Sequence, residues 1–166
     1  MAKHFLARLQ DNLPLSVFRV IINFWPPLLG AGIHITKVTP DYRHVEVELK
    51  IRWYNRNYVG THFGGSIFAM TDPFMMLMLL KNLGQDYIVW DKAASIDFKK
   101  PGRGTIKASF TFSADEIQQI KATTDQKGKY VFDRPVDIVD EAGNVIASVI
   151  RTLYVRRKDF LPSSPT

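Results

Sequence analysis

Apolar and polar residues alternate along most of the chain from residue 33 to residue 155, the pattern of strands that bury one face. Clusters of glycine, proline, asparagine and aspartate separate the alternating stretches, and each cluster indicates a turn. The pattern predicts six strands, at 33–38, 45–51, 87–98, 105–112, 130–139 and 145–155. The first two and the last two strands are close enough along the chain to form hairpins.

One apolar segment, residues 65–83, interrupts this series after the second strand. It is too long for an ordinary strand, and it lies between a glycine turn and Gly84, so it predicts a buried helix. An apolar helix among strands needs a sheet to cover it on most sides, which indicates an α+β arrangement. Asp72 is the one acidic residue in the segment.

Pro73 follows Asp72 and cannot donate the backbone hydrogen bond that a continuous helix requires. Two geometries satisfy this constraint. Either the helix kinks at this point, or Asp72 caps a second helix that begins at Pro73.

Two more helices are predicted before the first strand, over residues 2–10 and 15–25, with residues 12–14 breaking the first and Pro26-Pro27 ending the second. One face of the second helix is apolar, formed by Val17, Val20, Ile21 and Phe24. We expect this face to pack as a lid on the protein's own sheet, with contact to a membrane surface as the alternative. A short helix is also predicted over 114–121, with Ser113 and Glu116 in the spacing of a capping box.

Composition narrows the chemistry of the chain. Its 166 residues include no cysteine, which excludes disulfides, thiolate metal sites and cysteine nucleophiles and is consistent with a cytoplasmic protein. The net charge of +6 favours an anionic partner. Because the aromatic residues follow no nucleic-acid-binding pattern, a phosphate-bearing small ligand is preferred over nucleic acid. The N-terminal apolar run is too short and too interrupted to span a bilayer.

The residues before and inside the central segment have a specific spacing, in which Asn57, Gly60, Gly64 and Gly65 are followed seven residues later by Asp72. This spacing resembles the Asn-x-x-Gly-x-x-His-Gly-Gly pattern of hotdog-fold proteins of the phenylacetate-degradation type, which are acyl-coenzyme A thioesterases, and of uncharacterised families close to them. Supporting likeness comes from segments 96–104 and 136–147, and the resemblance covers roughly residues 32–155.

The resemblance implies a hotdog fold, in which a curved antiparallel sheet of about six strands wraps one long central helix. We therefore expect an N-terminal helical extension over 1–30, a hotdog domain over 31–158 and a flexible tail over 159–166. It also implies hydrolysis of an acyl-coenzyme A or another acyl thioester by a homodimer or a homotetramer built as a dimer of dimers. Coenzyme A enters as part of the substrate, and no separate cofactor or metal is expected.

For the reaction itself, the resemblance implies that Asp72 acts as base or nucleophile and that the backbone N–H groups of Gly64 and Gly65 stabilise the oxyanion. On an unbroken helix Gly65 and Asp72 would be roughly 10 Å apart. We therefore expect the glycines of one subunit to work with Asp72 of the other, across the dimer interface.

Each of the remaining candidate binding residues has either a binding role or a purely structural one. The family histidine is replaced by Phe63, and His62, one residue earlier, is a packed or surface histidine or a substrate contact. Asn57 is a turn former or a site residue, and the glycine pair is an oxyanion site or a plain turn. A basic turn would bind coenzyme A phosphates or face solvent, through Lys99, Lys100 and Arg103.

Three functions follow. The first is a thioesterase. The second is a noncatalytic protein that binds acyl-coenzyme A or a fatty acyl chain, which the substitutions at Phe63 and Pro73 favour. The third is a peripheral membrane protein that uses its N-terminal helices. A dehydratase is disfavoured because no histidine follows His62.

Overall fold

Six strands form one antiparallel sheet, as the alternating pattern predicts, in a computed structural model that describes residues 14–160. The strands are β1 (Ile33–Val38), β2 (His44–Lys50), β3 (Tyr87–Phe98), β4 (Thr105–Thr111), β5 (Lys129–Asp140) and β6 (Val145–Arg157). Their order across the sheet is β1-β2-β4-β5-β6-β3, so β1 and β3 are the two edges. The helix predicted over residues 2–10 lies outside the described residues.

The core lies between the inner face of this curved sheet and the central helical segment. Alternate residues of the strands are fully buried there, including Val47, Leu49, Ile106 and Leu153. The α+β fold class predicted from the sequence is confirmed.

The central segment consists of two helices, α3 (Gly64–Ala69) and α4 (Phe74–Leu83). The helix predicted over 65–83 is interrupted at Pro73, where the sequence predicted a kink or a second helix, because Pro73 lacks the N–H that would continue the hydrogen-bond series. Asp72 does not cap the second helix, since Pro73 occupies the N-cap position and no side chain bonds the helix start there. The carboxylate of Asp72 is left for another partner.

Two N-terminal helices, α1 (Leu15–Asn23) and α2 (Pro26–Ala31), lie against the β1 edge. The proline pair ends the first helix, as expected, but it also begins the second, because proline suits the first turn of a helix. The side chain of Asn23 fastens α1 to the sheet, with Oδ1 accepting from the Ile35 N–H at 2.7 Å and Nδ2 donating to the Ile35 carbonyl at 3.2 Å.

The predicted lid face is wrong in its orientation. Phe18 is the buried residue of α1, and the face of Val17, Val20, Ile21 and Phe24 is exposed. Hydrophobic periodicity identifies an apolar face but not the side of the helix that meets the sheet.

The last helix, α5 (Ala114–Lys127), begins with the predicted capping box of Ser113 and Glu116. It continues past residue 121 and ends at Gly128, whose φ of 75° suits a left-handed C-cap. Phe160, in the predicted tail, packs on that glycine, and residues 161–166 lie outside the described part. Within residues 14–160, no helix is long and apolar enough to cross a membrane.

Candidate functional site

A surface pocket of about 390 Å³ lies where the start of α3 meets the turn after β3. Its lining contains five of the residues singled out from the sequence, namely Asn57, His62, Gly64, Lys99 and Lys100. The other lining residues are Thr61, Ile67, Phe98, Pro101 and Gly102. Phe63, Gly65, Asp72 and Arg103, also singled out, do not line it.

Asn57 builds the loop that forms one wall of this pocket. Its Oδ1 accepts hydrogen bonds from the backbone N–H groups of Val59 at 3.1 Å and Thr61 at 2.9 Å. Its Nδ2 donates to the Thr61 hydroxyl at 2.8 Å. These bonds use both ends of the amide, so Asn57 forms the turn and also lines the pocket.

His62 is a buried residue of the pocket lining and holds the loop against the turn after β3. Its backbone N–H donates to the Gly102 carbonyl at 3.0 Å, and its Nε2 lies 3.1 Å from the Gly104 carbonyl oxygen. Because a carbonyl only accepts, Nε2 carries the proton and Nδ1 is an acceptor. Burial lowers the pKa of His62, which favours this neutral form.

Nδ1 of His62 is also buried, and it has no hydrogen-bond partner among the residues that the structure describes. A buried acceptor without a partner is costly in a protein, and such groups concentrate where a ligand or water is bound. The histidine is packed, as one alternative from the sequence had it, and it retains an acceptor next to the pocket.

The first two residues of α3 leave their N–H groups unbonded. The first backbone bonds of this helix are donated by Ser66 and Ile67 to the Phe63 carbonyl, at 3.0 and 3.1 Å, and no side chain caps the helix. The N–H groups of Gly64 and Gly65 therefore make no hydrogen bond within the described part of the chain.

Side chains crowd both glycines. A Cβ at Gly64 would lie 3.2 Å from the Phe98 ring, and one at Gly65 would meet the Phe63 ring. Phe63, at the position of the family histidine, is itself more than half exposed. The glycines thus let two aromatic rings lie close to the unbonded N–H groups.

The basic turn contributes two of its three cations to the pocket. The ammonium of Lys99 is paired with Asp97, whereas Lys100 forms no salt bridge with any described residue. Arg103 is exposed and lies outside the lining, so its phosphate-binding role stays a prediction.

Asp72 lies at the other end of α3, where its carboxylate is bound by Arg151 of β6. Nη2 of Arg151 is 2.8 Å from Oδ2 of Asp72 and 2.9 Å from Oδ2 of Asp91 on β3. Nη1 of Arg151 lies 3.4 Å from the Thr71 hydroxyl. The guanidinium is buried, with 3% of its side chain exposed, while 55% of the Asp72 side chain is exposed.

Burial raises the pKa of the Asp91 carboxyl, and the hydrogen bond from Arg151 opposes that rise. The cluster of Arg151, Asp91 and Asp72 thus places one cation between two carboxylates, and only Asp72 presents much surface to solvent. Sequence reasoning did not place Arg151 or Asp91 beside Asp72. The available signal was the alternation in β6, which puts Arg151 on the same face as Val149 and Leu153.

Within residues 14–160, no group of three or more His, Asp or Glu side chains is arranged to hold a metal ion.

Comparisons with known proteins place the chain in a family. Residues 16–155 match the family model described as Domain of unknown function (DUF4442), and the chain belongs to that family. A search of curated proteins found no match.

Solved structures share the fold at low sequence identity. A Pseudomonas aeruginosa protein of unknown function, described as a probable thioesterase, has 19% identity and a TM-score of 0.78, covering 89% of this chain and 99% of that one. A Haemophilus influenzae thioesterase has 14% identity and a TM-score of 0.64, covering 93% and 98%. The E. coli PaaI protein from the phenylacetic acid degradation operon has 17% identity and a TM-score of 0.57, covering 86% and 91%. The fold is therefore the hotdog fold that the resemblance implied.

Proposed function

We propose that this hotdog-fold member of the DUF4442 family hydrolyses the thioester of an acyl-coenzyme A, in a site that two subunits share. The observation that carries the proposal is the pair of unbonded N–H groups at Gly64 and Gly65, of which Gly64 lines the pocket. Two such donors suit the oxyanion that forms when a thioester carbonyl is attacked. The thioesterases among the structural relatives support the same chemistry.

Asp72 is the proposed carboxylate, and it must come from a second subunit because it does not line the pocket of its own chain. Edge strand β3 offers the contact, since one side of its backbone pairs with no strand among residues 14–160. The small residues Ala93, Ala94 and Ser95 are exposed along it. A second copy of β3 pairing there would extend the sheet across a two-fold axis.

One register of such a pair would bring the two halves of the site together. If two copies of β3 pair antiparallel about the midpoint between Ala94 and Ser95, Asp91 of one subunit lies opposite Phe98 of the other. Phe98 lines the pocket, and Asp91 shares Arg151 with Asp72. That register would carry the Asp72 cluster of each subunit towards the pocket of its partner.

In the proposed reaction the thioester carbonyl oxygen accepts hydrogen bonds from Gly64 and Gly65. Asp72 of the second subunit removes a proton from water, water oxygen bonds the carbonyl carbon, the C–S bond breaks and the thiolate takes the proton. Direct attack by the carboxylate, followed by hydrolysis of the anhydride, is the alternative route. Lys100, which lines the pocket and forms no salt bridge with a described residue, would contact a coenzyme A phosphate in this proposal.

A noncatalytic protein that binds acyl-coenzyme A is the second candidate. The observation that favours it is the salt bridge of Asp72 to a buried arginine, which engages one oxygen of the carboxylate that the reaction needs. Such a protein would keep the pocket and release no thiol.

Free-thiol release from short, long and aromatic acyl-coenzyme A thioesters decides between the two. We expect turnover by wild type, its loss in Asp72→Asn, and its retention in Asp86→Asn, a control that neutralises another exposed carboxylate. Binding that depends on the acyl chain, without turnover of any thioester, would replace the hydrolase with the binding protein.

The oxyanion donors have a matched pair of variants at Gly64. Proline removes the N–H and suits the first position of a helix, and Phe63 before it already has the extended φ of −68° and ψ of 127° that a residue before proline prefers. Alanine adds a Cβ and keeps the N–H. We expect Gly64→Pro to lower the rate of thiol release about 100-fold or more relative to Gly64→Ala, the usual effect of losing one donor.

A further inference from the structure

The outward face of α1 and α2 is apolar. Residues spaced as one helical face are exposed on α1, namely Val17, Val20, Ile21 and Phe24, and Trp25 and Leu29 continue the surface into α2. The opposite side of α1 is already used, because Phe18 packs into the fold and Asn23 bonds β1. The exposed side is therefore not the helix's packing face.

Two aromatic residues of the loop after β2 extend this surface. Trp53 and Tyr54 are exposed, and the next residue, Asn55, donates from Nδ2 to the Ala31 carbonyl at the end of α2, at 3.0 Å. The same Nδ2 donates to the Lys50 carbonyl at 2.9 Å. Asn55 thus fastens the aromatic loop to the end of α2. We call the exposed residues of α1 and α2 together with Trp53 and Tyr54 the apolar platform.

Basic side chains outnumber acidic ones in the segments that form the platform. No aspartate or glutamate falls in residues 14–40 or 49–71, the two stretches that contain its residues. Those stretches carry the exposed residues Arg19, Arg52 and Arg56, none of which forms a salt bridge with a described residue, and Lys37 and Lys50, which are paired with Glu46 and Glu48 of β2. An apolar helix face with basic side chains around it and tryptophan and tyrosine at its edge is the chemistry of a surface that binds a lipid headgroup layer.

We propose that the apolar platform binds the surface of a bilayer that contains anionic lipids. A second copy of this chain fits less well, because it would bring the same basic side chains together. The edge strand offered to a second copy, β3, is also at the opposite side of the sheet from β1, on which α1 lies. This inference does not depend on the hydrolase.

Membrane docking would bring the pocket near the lipid surface. The loop that carries Trp53 and Tyr54 continues through Asn57, Thr61 and His62, which line the pocket. An amphiphilic substrate held in a bilayer would then have a short path to the site.

Cosedimentation of the full chain with vesicles tests the proposal. We expect binding to phosphatidylcholine vesicles that contain phosphatidylglycerol, and little binding to phosphatidylcholine alone. Arg19→Glu should weaken binding about tenfold or more, since each basic residue near an anionic surface contributes roughly fivefold. Lys121→Glu, an exposed reversal on α5, should have a much smaller effect than Arg19→Glu.

The contribution of apolar side chains to vesicle binding is tested with two isoleucines of equal exposure. Ile21 on the platform is 47% exposed and Ile150 on β6 is 46% exposed. Ile21→Ser should lower vesicle binding about tenfold, and Ile150→Ser should leave it within about twofold. Equal losses in the two variants, or no binding by wild type to either vesicle, would overturn the proposal.

The three tryptophans give an independent readout. Trp25 and Trp53 are on the platform, whereas Trp90 stacks on Tyr154 at a ring distance of 4.0 Å. Brominated anionic lipids should quench the Trp90→Phe protein and should not quench the Trp25→Phe/Trp53→Phe protein. Equal quenching would contradict this docking orientation.

The oligomeric state of Ile21→Ser without lipid tests the other occupant of the platform. A smaller oligomer than wild type would identify a second copy as the occupant and would also overturn the proposal.

Discussion

Arg151 and Asp72 form a salt bridge of 2.8 Å between Nη2 and Oδ2, although the arginine is buried and the aspartate is half exposed. The same Nη2 also binds Asp91, so one buried cation serves two carboxylates. The break between α3 and α4 leaves the Asp72 side chain free of a capping role and available to the arginine. The local chain break and the sheet together therefore determine where Asp72 lies.

Replacing Arg151 tests this arrangement. Arg151→Met leaves Asp91 buried without its cation, and we expect the free energy of unfolding to fall by about 3 kcal/mol in urea titrations. Adding Asp91→Asn should recover part of the loss, because the buried charge is then absent. Lys37→Met, which breaks an exposed pair with Glu46, should cost about 1 kcal/mol or less. Equal losses in Arg151→Met and Lys37→Met would contradict the cost expected from leaving Asp91 buried without its cation.

Acid should destabilise the protein through His62. Its folded pKa is lowered by burial from the ordinary 6.5, so the unfolded chain binds a proton that the folded chain does not. Stability should therefore fall as the pH drops below about 6.5, by up to about 1.4 kcal/mol per pH unit, until the folded pKa is reached. His62→Gln keeps a donor for the Gly104 carbonyl and should remove this contribution. Urea titrations from about pH 7.5 to about pH 5.5, a range that brackets the pKa of an ordinary histidine, measure this contribution. The same pH dependence in both proteins would exclude His62 as its source.

Gly102 supports the histidine sterically. A Cβ there would lie 3.1 Å from Cδ2 of His62 and 3.3 Å from Cγ2 of Ile146, so Gly102→Ala should displace the ring and lower stability by about 1 kcal/mol or more. Gly30→Ala is the control, since nothing lies within 4 Å of its Cβ position, and in α2 it should stabilise by about 0.5 kcal/mol. Thermal unfolding of both variants should show shifts of opposite sign. If Gly102→Ala raised the unfolding temperature instead, the turn would accommodate the added Cβ without displacing His62.

The sheet could be predicted from the sequence because its strands alternate with period two and end at turn residues. The face of α1 that packs against the sheet could not be predicted. Ile21 and Phe18 are both apolar, and only the folded chain shows that Phe18 is the buried one. In the pocket, Asn57, His62 and Gly64 are close in sequence, and their grouping follows from the motif. Lys99 and Lys100 meet them because the turn after β3 lies against the loop that contains His62.

Spacing along the sequence does not identify the partners of Asp72. Arg151 is 79 residues away along the chain, and the ion pair exists because β6 lies beside β3 and faces the break after α3. Alternation in β6 marks Arg151 as an inward arginine, which calls for a buried acidic partner, but it does not say which one.

The most direct test of a site shared between subunits mixes two variants that each lack half of it. Gly64→Pro and Asp72→Asn are each expected to release almost no thiol alone. If the pocket and the carboxylate come from different subunits, mixed dimers formed by refolding the two proteins together contain one complete site each. Half of the dimers are mixed at random association, so thiol release should recover to about a quarter of the wild-type rate. No recovery, with mixed dimers confirmed by differently tagged chains, would contradict the shared site and place Asp72 and the pocket in separate roles.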